Sequence, residues 1–194
     1  MSAQKKNGFT LLELLIAISI IAIISAVGIT TFSTSQKLSR DTKRKQDLRS
    51  IAVALELYYQ KNKHYPCTTD WEYSDPTPSF WFSNNLNLSP ANCGGSSPAF
   101  DTNFINQIPI DPLANTNAPP WTATPGVNNY GYGYWSGTQG SCTVPGQYYM
   151  LITLLENADD KERIGSVDQT YKCTNQTFAG ALAMNPRSFI ITSN

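Results

Sequence analysis

An apolar run close to the N-terminus constrains this chain more than any other feature. Its 19 residues, Leu14 to Phe32, contain no charged side chain. Counted from Phe9 the segment is 24 residues long, which is enough for a helix to cross a hydrocarbon core of about 30 Å. Lys5 and Lys6 precede the segment, and they predict that its N-terminal side stays in the cytoplasm.

One carboxylate, Glu13, lies at the start of this apolar segment. A charge at the centre of a membrane helix costs about 2.5–3.5 kcal/mol, so an acid in this place indicates a partner. A plain membrane anchor explains the hydrophobicity but not Glu13. A secretory signal cut near Ala26-Val27-Gly28 does not explain it either, and the length of the run disfavours a buried helix of a soluble protein.

The order Gly8-Phe9-Thr10-Leu11-Leu12-Glu13, between two lysines and the apolar run, resembles the processing signature of type IV prepilins and type II secretion pseudopilins. The resemblance implies that a membrane peptidase cuts between Gly8 and Phe9 and methylates the new amine of Phe9. It also supplies a partner for Glu13, namely the N-terminal cation of a neighbouring subunit in a helical filament. A buried charge is stable when it is paired in this way.

The pattern and the resemblance together divide the chain into four parts. Residues 1–8 form a cleaved basic leader, and residues 9–32 form the membrane-spanning or filament-core half of a long helix. Residues 33–63 form the amphipathic half of that helix, and residues 64–194 form a globular head. The predicted fold is α+β and pilin-like, with the helix packed on a small antiparallel sheet.

The helical pattern continues beyond the apolar run. Apolar and aromatic residues recur there at steps of three and four: Leu48, Ile51, Ala52, Leu55, Tyr58 and Tyr59. We expect one helix from Phe9 to about Asn62, roughly 80 Å long at 1.5 Å per residue. It should end at His64-Tyr65-Pro66, because proline disfavours helix at the preceding residue. Gly28 is its weak point, although the proline that many relatives carry nearby is absent.

Charge is unevenly distributed along the chain. Residues 37–63 hold eight bases and three acids, a net charge of +5, whereas residues 64–194 hold four bases and ten acids, a net charge of −6. We interpret a basic segment below an acidic head as suited to head-to-tail packing of subunits; contact with anionic lipid is the alternative. The acidic head disfavours binding of nucleic acid, whose phosphates need cations.

All four cysteines follow the apolar run: Cys67, Cys93, Cys142 and Cys173. An even number in an exported chain predicts two disulfides. Three pairings are possible, and Cys67–Cys93 with Cys142–Cys173 is preferred because it closes two local loops. The wide spacing and the presence of only one histidine, His64, disfavour a zinc site.

The head is predicted to begin with a loop-rich connection, with short helices near Ser79–Leu86 and Phe100–Gln107. Its last part, Ile108 to Pro112, is turn-forming and resembles a Leu-Pro-x-Asp-Pro stretch of pseudopilin-like proteins. Four antiparallel strands are predicted after it: Tyr130–Trp135, Gln147–Leu155, Thr170–Cys173 and Ser188–Thr192.

The head shows no recognisable catalytic chemistry. A serine–histidine–acid set has little support with one histidine, and no phosphate-binding glycine loop is present. Four acids could ligate calcium, as a loop of some major pseudopilins does: Asp159, Asp160, Glu162 and Asp168. Calcium-loop spacing is lacking, so a solvated acidic turn is the preferred interpretation. The sequence predicts neither a cofactor nor a metal.

These features predict a structural subunit, not an enzyme, of a type IV pilus-like filament or a type II secretion pseudopilus. The expected partners are further copies and minor pilins, a prepilin peptidase, an inner-membrane assembly platform, and lipid before assembly. The subunit should span the inner membrane once, leader inside and head outside, and then enter a periplasmic or extracellular filament. The alternative is a monomeric membrane-anchored module whose head binds glycan or DNA.

Overall fold

A computed structural model describes residues 8–67, 72–73, 104–106, 108–114, 129–136, 146–163 and 186–193. The side chains of residues 27–30 and 72–73 lie outside this description. The chain forms two compact units, Met1–Ser39 and Arg40–Asn194. The described elements are one helix followed by four strands.

Helix α1 spans Leu11–Asn62, or 52 residues, which confirms the prediction of a single long helix. It ends just before Lys63, whose φ of 65° is left-handed. The Lys63 N–H donates to the Tyr59 carbonyl at 2.8 Å, so a left-handed residue closes the last turn. The helix therefore ends in a C-terminal cap at Lys63, three residues before Pro66.

The apolar part of α1 in the first unit is exposed at every position whose side chain is described. Within the described residues, α1 is the one helix that is long and apolar enough to cross a membrane. Large side chains from Phe9 to Ile24 are about half exposed or more, and Phe32 is also exposed. An apolar surface of this size requires a lipid or protein environment to cover it.

The described strands form one antiparallel sheet in the order β1-β2-β3-β4. They are β1 Glu72–Tyr73, β2 Tyr132–Trp135, β3 Met150–Leu154 and β4 Ser188–Thr192. Three predicted strands are confirmed, although β2 and β3 are shorter than expected, and β1 was not predicted. The predicted strand Thr170–Cys173 and the predicted helix Ser79–Leu86 lie outside the described residues.

The prediction of a helix at Phe100–Gln107 is wrong for its described part. Residues 104–106 form a turn and a bend. Phe104 packs against Tyr58 of α1, with ring centroids 5.1 Å apart, and Ile105 also packs against the core. Tertiary packing of these side chains therefore replaces helical hydrogen bonding here.

The core of the second unit lies between α1 and the sheet. Among the residues predicted to recur on one face of α1, four are fully buried: Leu48, Ile51, Leu55 and Tyr58. Ala52 and Tyr59 pack at the margin of the core. The sheet and adjoining segments contribute further buried residues: Tyr65, Tyr132, Tyr134, Tyr149, Leu151, Leu155 and Phe189. Each fully buried side chain of this size contributes about 1.5–3 kcal/mol relative to exposure.

Gly146 holds the segment after α1 against the sheet. Its φ is 72°, and a Cβ added there would lie 2.7 Å from the Cys67 Sγ and 2.8 Å from the Tyr65 carbonyl oxygen. The Tyr65 N–H donates to the Gly146 carbonyl at 2.7 Å. Cys67 is disulfide-bonded. The other three cysteines lie outside the described residues, so the preferred pairing stays a prediction.

Candidate functional site

The predicted cleavage point lies just outside α1. Gly8, Phe9 and Thr10 have no helical or strand assignment. A Cβ built on Gly8 would meet no atom within 4 Å, and Phe9 is 91% exposed. The Gly8–Phe9 bond is therefore open to solvent in irregular backbone, which is the setting in which proteolysis concentrates.

Glu13 is held by Thr10 in a capping box. One Glu13 carboxylate oxygen accepts hydrogen bonds from the Thr10 N–H at 2.8 Å and the Thr10 hydroxyl at 2.7 Å. The Glu13 N–H donates to the Thr10 Oγ1 at 3.3 Å. Thr10 and Glu13 thus satisfy each other's backbone donors and fix the start of α1. The carboxylate already has a partner within the single chain.

A second polar centre lies inside the head unit and is named here the buried ion cluster: Asp41, Arg44, Asp111 and Glu156. Arg44 donates from Nε and Nη2 to the two Asp111 oxygens, at 2.7 and 3.1 Å. Its Nη1 lies 2.7 Å from Asp41 Oδ1 and 2.8 Å from Glu156 Oε1. The two-pronged bond to Asp111 is the stronger kind of arginine–carboxylate contact.

The buried ion cluster joins three segments of the chain. Asp41 also accepts the backbone N–H groups of Glu156 and Asn157, at 2.9 and 2.8 Å. Burial would raise the pKa of Glu156, but hydrogen bonds from Arg40 and Arg44 outweigh this and lower the pKa below its usual range. The cluster therefore ties α1 to residue 111 and to the segment after β3 while Glu156 is ionised.

The acidic turn after β3 is paired with α1 instead of being left to solvent. The Lys45 ammonium lies 2.7–2.8 Å from both Asp160 oxygens and 2.7 Å from a Glu162 oxygen. Arg49 pairs with the other Glu162 oxygen at 2.8 Å. Asp159 is exposed, and Asp168 lies outside the described residues. No group of three or more metal-binding side chains occurs in the described part of the chain.

These pairs change the interpretation of the basic segment. Four of its eight bases contact acids of the head in the same chain: Arg40, Arg44, Lys45 and Arg49. Half of the cations expected to serve head-to-tail packing between subunits are therefore already paired within the chain. Net charge along a sequence shows that bases and acids attract, but not whether they meet within one chain.

Comparison with known proteins identifies the N-terminal segment. Residues 3–29 match the model of the prokaryotic N-terminal methylation motif. The chain is 25% identical over 122 residues to the type II secretion system core protein G of Pseudomonas aeruginosa, covering 59% of this chain and 73% of that protein. It is 30% identical over 67 residues to the core protein G of Escherichia coli, covering 34% and 46%. No solved structure matches the chain.

The chain therefore carries this methylation motif and is similar to two type II secretion system core proteins G. The apolar N-terminal part of α1 fits a membrane anchor. The roles of individual residues in this pilin-like chain, Gly8, Phe9 and Glu13 among them, stay predictions.

The predicted processing and assembly residues of this pilin-like chain lie close together in sequence at the start of α1. Gly8, Phe9 and Glu13 lie within one six-residue segment. Thr10 follows Phe9 directly and is hydrogen-bonded to Glu13. Thr10 was missed as a functional residue, although Thr-x-x-Glu before an apolar run is a recognisable capping signal. The buried ion cluster was missed because its partners lie far apart in sequence.

Proposed function

We propose that this chain is a structural subunit of a pseudopilus of the type II secretion kind. The observation that carries the proposal is the start of α1, where a single capped carboxylate precedes an apolar surface that the chain itself leaves exposed. The methylation motif and the likeness to two type II secretion core proteins support it.

Maturation is the first step of the proposed function. A prepilin peptidase would cut the exposed Gly8–Phe9 bond and methylate the new amine of Phe9. The capping box lies beyond the bond, at Thr10 and Glu13, so the helix start survives the cut. The product is a membrane-held subunit that carries a cation and a carboxylate four residues apart.

Assembly is the second step. In a filament core, Glu13 would lie among apolar side chains, where an unpaired buried charge costs several kcal/mol. The Phe9 amine of a neighbouring copy removes this cost at one axial position only. The pair would therefore set the register of each incoming subunit, and α1 would supply the packing surface.

The remaining partners follow from this route. The subunit would wait in the inner membrane with its head outside, in contact with lipid. It would then pass to an assembly platform and join copies of itself and minor pilins. The accessible bond before α1 and the exposed apolar helix support this order.

Mechanical shearing of cells that express the chain tests the proposal. We expect the sheared fibre fraction to contain this protein, with an intact mass that begins at a methylated Phe9. A chain found only in the membrane fraction would instead support a monomeric anchored module. A mature chain that starts near Ile29 would indicate an ordinary signal peptide.

A further inference from the structure

The solvent-facing side of α1 in the head unit carries a stripe without charge. Six exposed positions recur at steps of four and three and form the uncharged stripe: Thr42, Gln46, Ser50, Val53, Leu57 and Gln60. At 3.6 residues per turn they share one helix face about 80° wide. Its two aliphatic side chains, Val53 and Leu57, are 62% and 47% exposed.

The stripe lacks charge in a part of the chain that is otherwise rich in it. Residues 37–63 hold eight bases and three acids, and none lies on the stripe. By helical position, Arg49 and Glu56 line one edge and Lys43 and Lys61 line the other. The solvent-facing side of a helix normally carries charged residues. A charge-depleted centre with a charged rim is the composition of a protein–protein interface.

The stripe can lose water without isolating a charge. Arg49 pairs with Glu162 at 2.8 Å, and Lys43 lies 3.4 Å from Asp47. Within the stripe, the Ser50 hydroxyl donates to the Gln46 carbonyl at 3.0 Å. Because these groups are already bonded within the chain, covering them does not leave them unmatched, and the amides of Gln46 and Gln60 need polar partners on the covering surface.

We propose that the uncharged stripe is a contact surface for a second copy of this chain. The inference rests on the proposed filament, which gathers copies through the helix that carries the stripe. The edges differ in charge, with two lysines on one side and the mixed pair Arg49 and Glu56 on the other. Contact between unlike edges of successive copies is heterologous, and such contacts extend into helical filaments. The amides of Gln46 and Gln60 make the stripe a poor surface for lipid.

Two substitutions that add the same charge test the stripe. Leu57→Lys places a cation on the stripe, and Ala158→Lys places one at an exposed head position that is not part of the stripe. We expect Leu57→Lys to lower sheared filament yield about tenfold or more, equivalent to about 1.4 kcal/mol per contact, whereas Ala158→Lys stays near wild type. Leu57→Gln, without charge, should keep most of the yield. Unchanged protease resistance of the head shows that each variant folds.

Thiol labelling gives a readout that does not depend on yield. Val53→Cys should react with a maleimide in membrane-held subunits and be protected in filaments, whereas Ala158→Cys should react in both. Two results would overturn the proposed contact surface. One is normal yield of Leu57→Lys when the wild-type chain forms filaments, and the other is equal labelling of Val53→Cys in both forms. Neither result contradicts the proposed function. If the wild-type chain forms no filament, both proposals fail.

Discussion

At the residue scale, Glu13 combines a local role with a proposed intersubunit role. Within the chain its carboxylate accepts two hydrogen bonds from Thr10 and caps α1. In the proposed filament the same carboxylate binds the Phe9 amine of a neighbour. These roles are compatible because a carboxylate has about four acceptor positions, and the bonds from Thr10 use one oxygen.

Comparing Glu13→Leu with Thr10→Ala separates these two roles. Glu13→Leu removes both the cap and the charge, so we expect export to continue and sheared filament yield to fall strongly. Thr10→Ala removes the hydroxyl half of the cap and keeps the charge, so assembly should be affected much less. Glu13→Asp should be intermediate, because the charge remains on a shorter arm. Equal filament loss in Glu13→Leu and Thr10→Ala would make capping, and not charge pairing, the decisive role.

Within the head, Asp111 is the residue whose loss should destabilise most. Asp111→Ala leaves buried Arg44 without its two-pronged partner, and breaking a buried pair in this way costs about 3–5 kcal/mol. Arg49→Ala removes a mostly exposed pair with Glu162, which should cost at most about 1 kcal/mol. Urea unfolding of the full-length chain in detergent measures both. Similar losses for the two variants would show that the buried ion cluster is not a stabilising centre.

At the element scale, local patterns predicted the elements and failed for the contacts between them. The apolar residues that recur from Leu48 to Tyr59 predicted the buried face of α1, since helical periodicity depends on neighbours in sequence. The capping box was equally local and could have been predicted. Arg44 and Asp111 are separated by 67 residues, and Lys45 and Asp160 by 115. No sequence period relates such pairs, so only the folded chain reveals them.

Gly146 offers a test of how the end of α1 is attached to the sheet. Gly146→Ala combines a strained positive φ with a Cβ too close to the Cys67 sulfur and the Tyr65 oxygen. We expect a loss of at least about 1–3 kcal/mol, the usual cost of a strained backbone position. Gln147→Ala, at an exposed neighbour, should change the unfolding free energy little. A normal urea midpoint for Gly146→Ala would show that the loop relaxes freely.

At the scale of the whole molecule, ionisable groups limit the head's stability at both pH extremes. Hydrogen bonds from cations of α1 outweigh the opposing effect of burial and lower the pKa values of Glu156 and Asp160 below their ordinary values of 4.5 and 3.8. Burial and a bond to Asp47 raise the pKa of Tyr132 above 10.0. The acid pairs favour folding above pH 4.5, and neutral Tyr132 favours it below pH 10.

We therefore expect a stability plateau between about pH 5 and pH 10, because a lowered acid pKa makes the unfolded state bind more protons as pH falls. Below pH 4.5 the contribution of Glu156 should be lost progressively as pH approaches its lowered pKa. Glu156→Gln should reduce the unfolding free energy at pH 7, where Arg40 and Arg44 lose a charged partner. The same variant should weaken the fall in stability between pH 4.5 and pH 3. Urea unfolding of both chains across this range provides the measurement, and parallel pH curves would show that Glu156 does not carry the acid sensitivity.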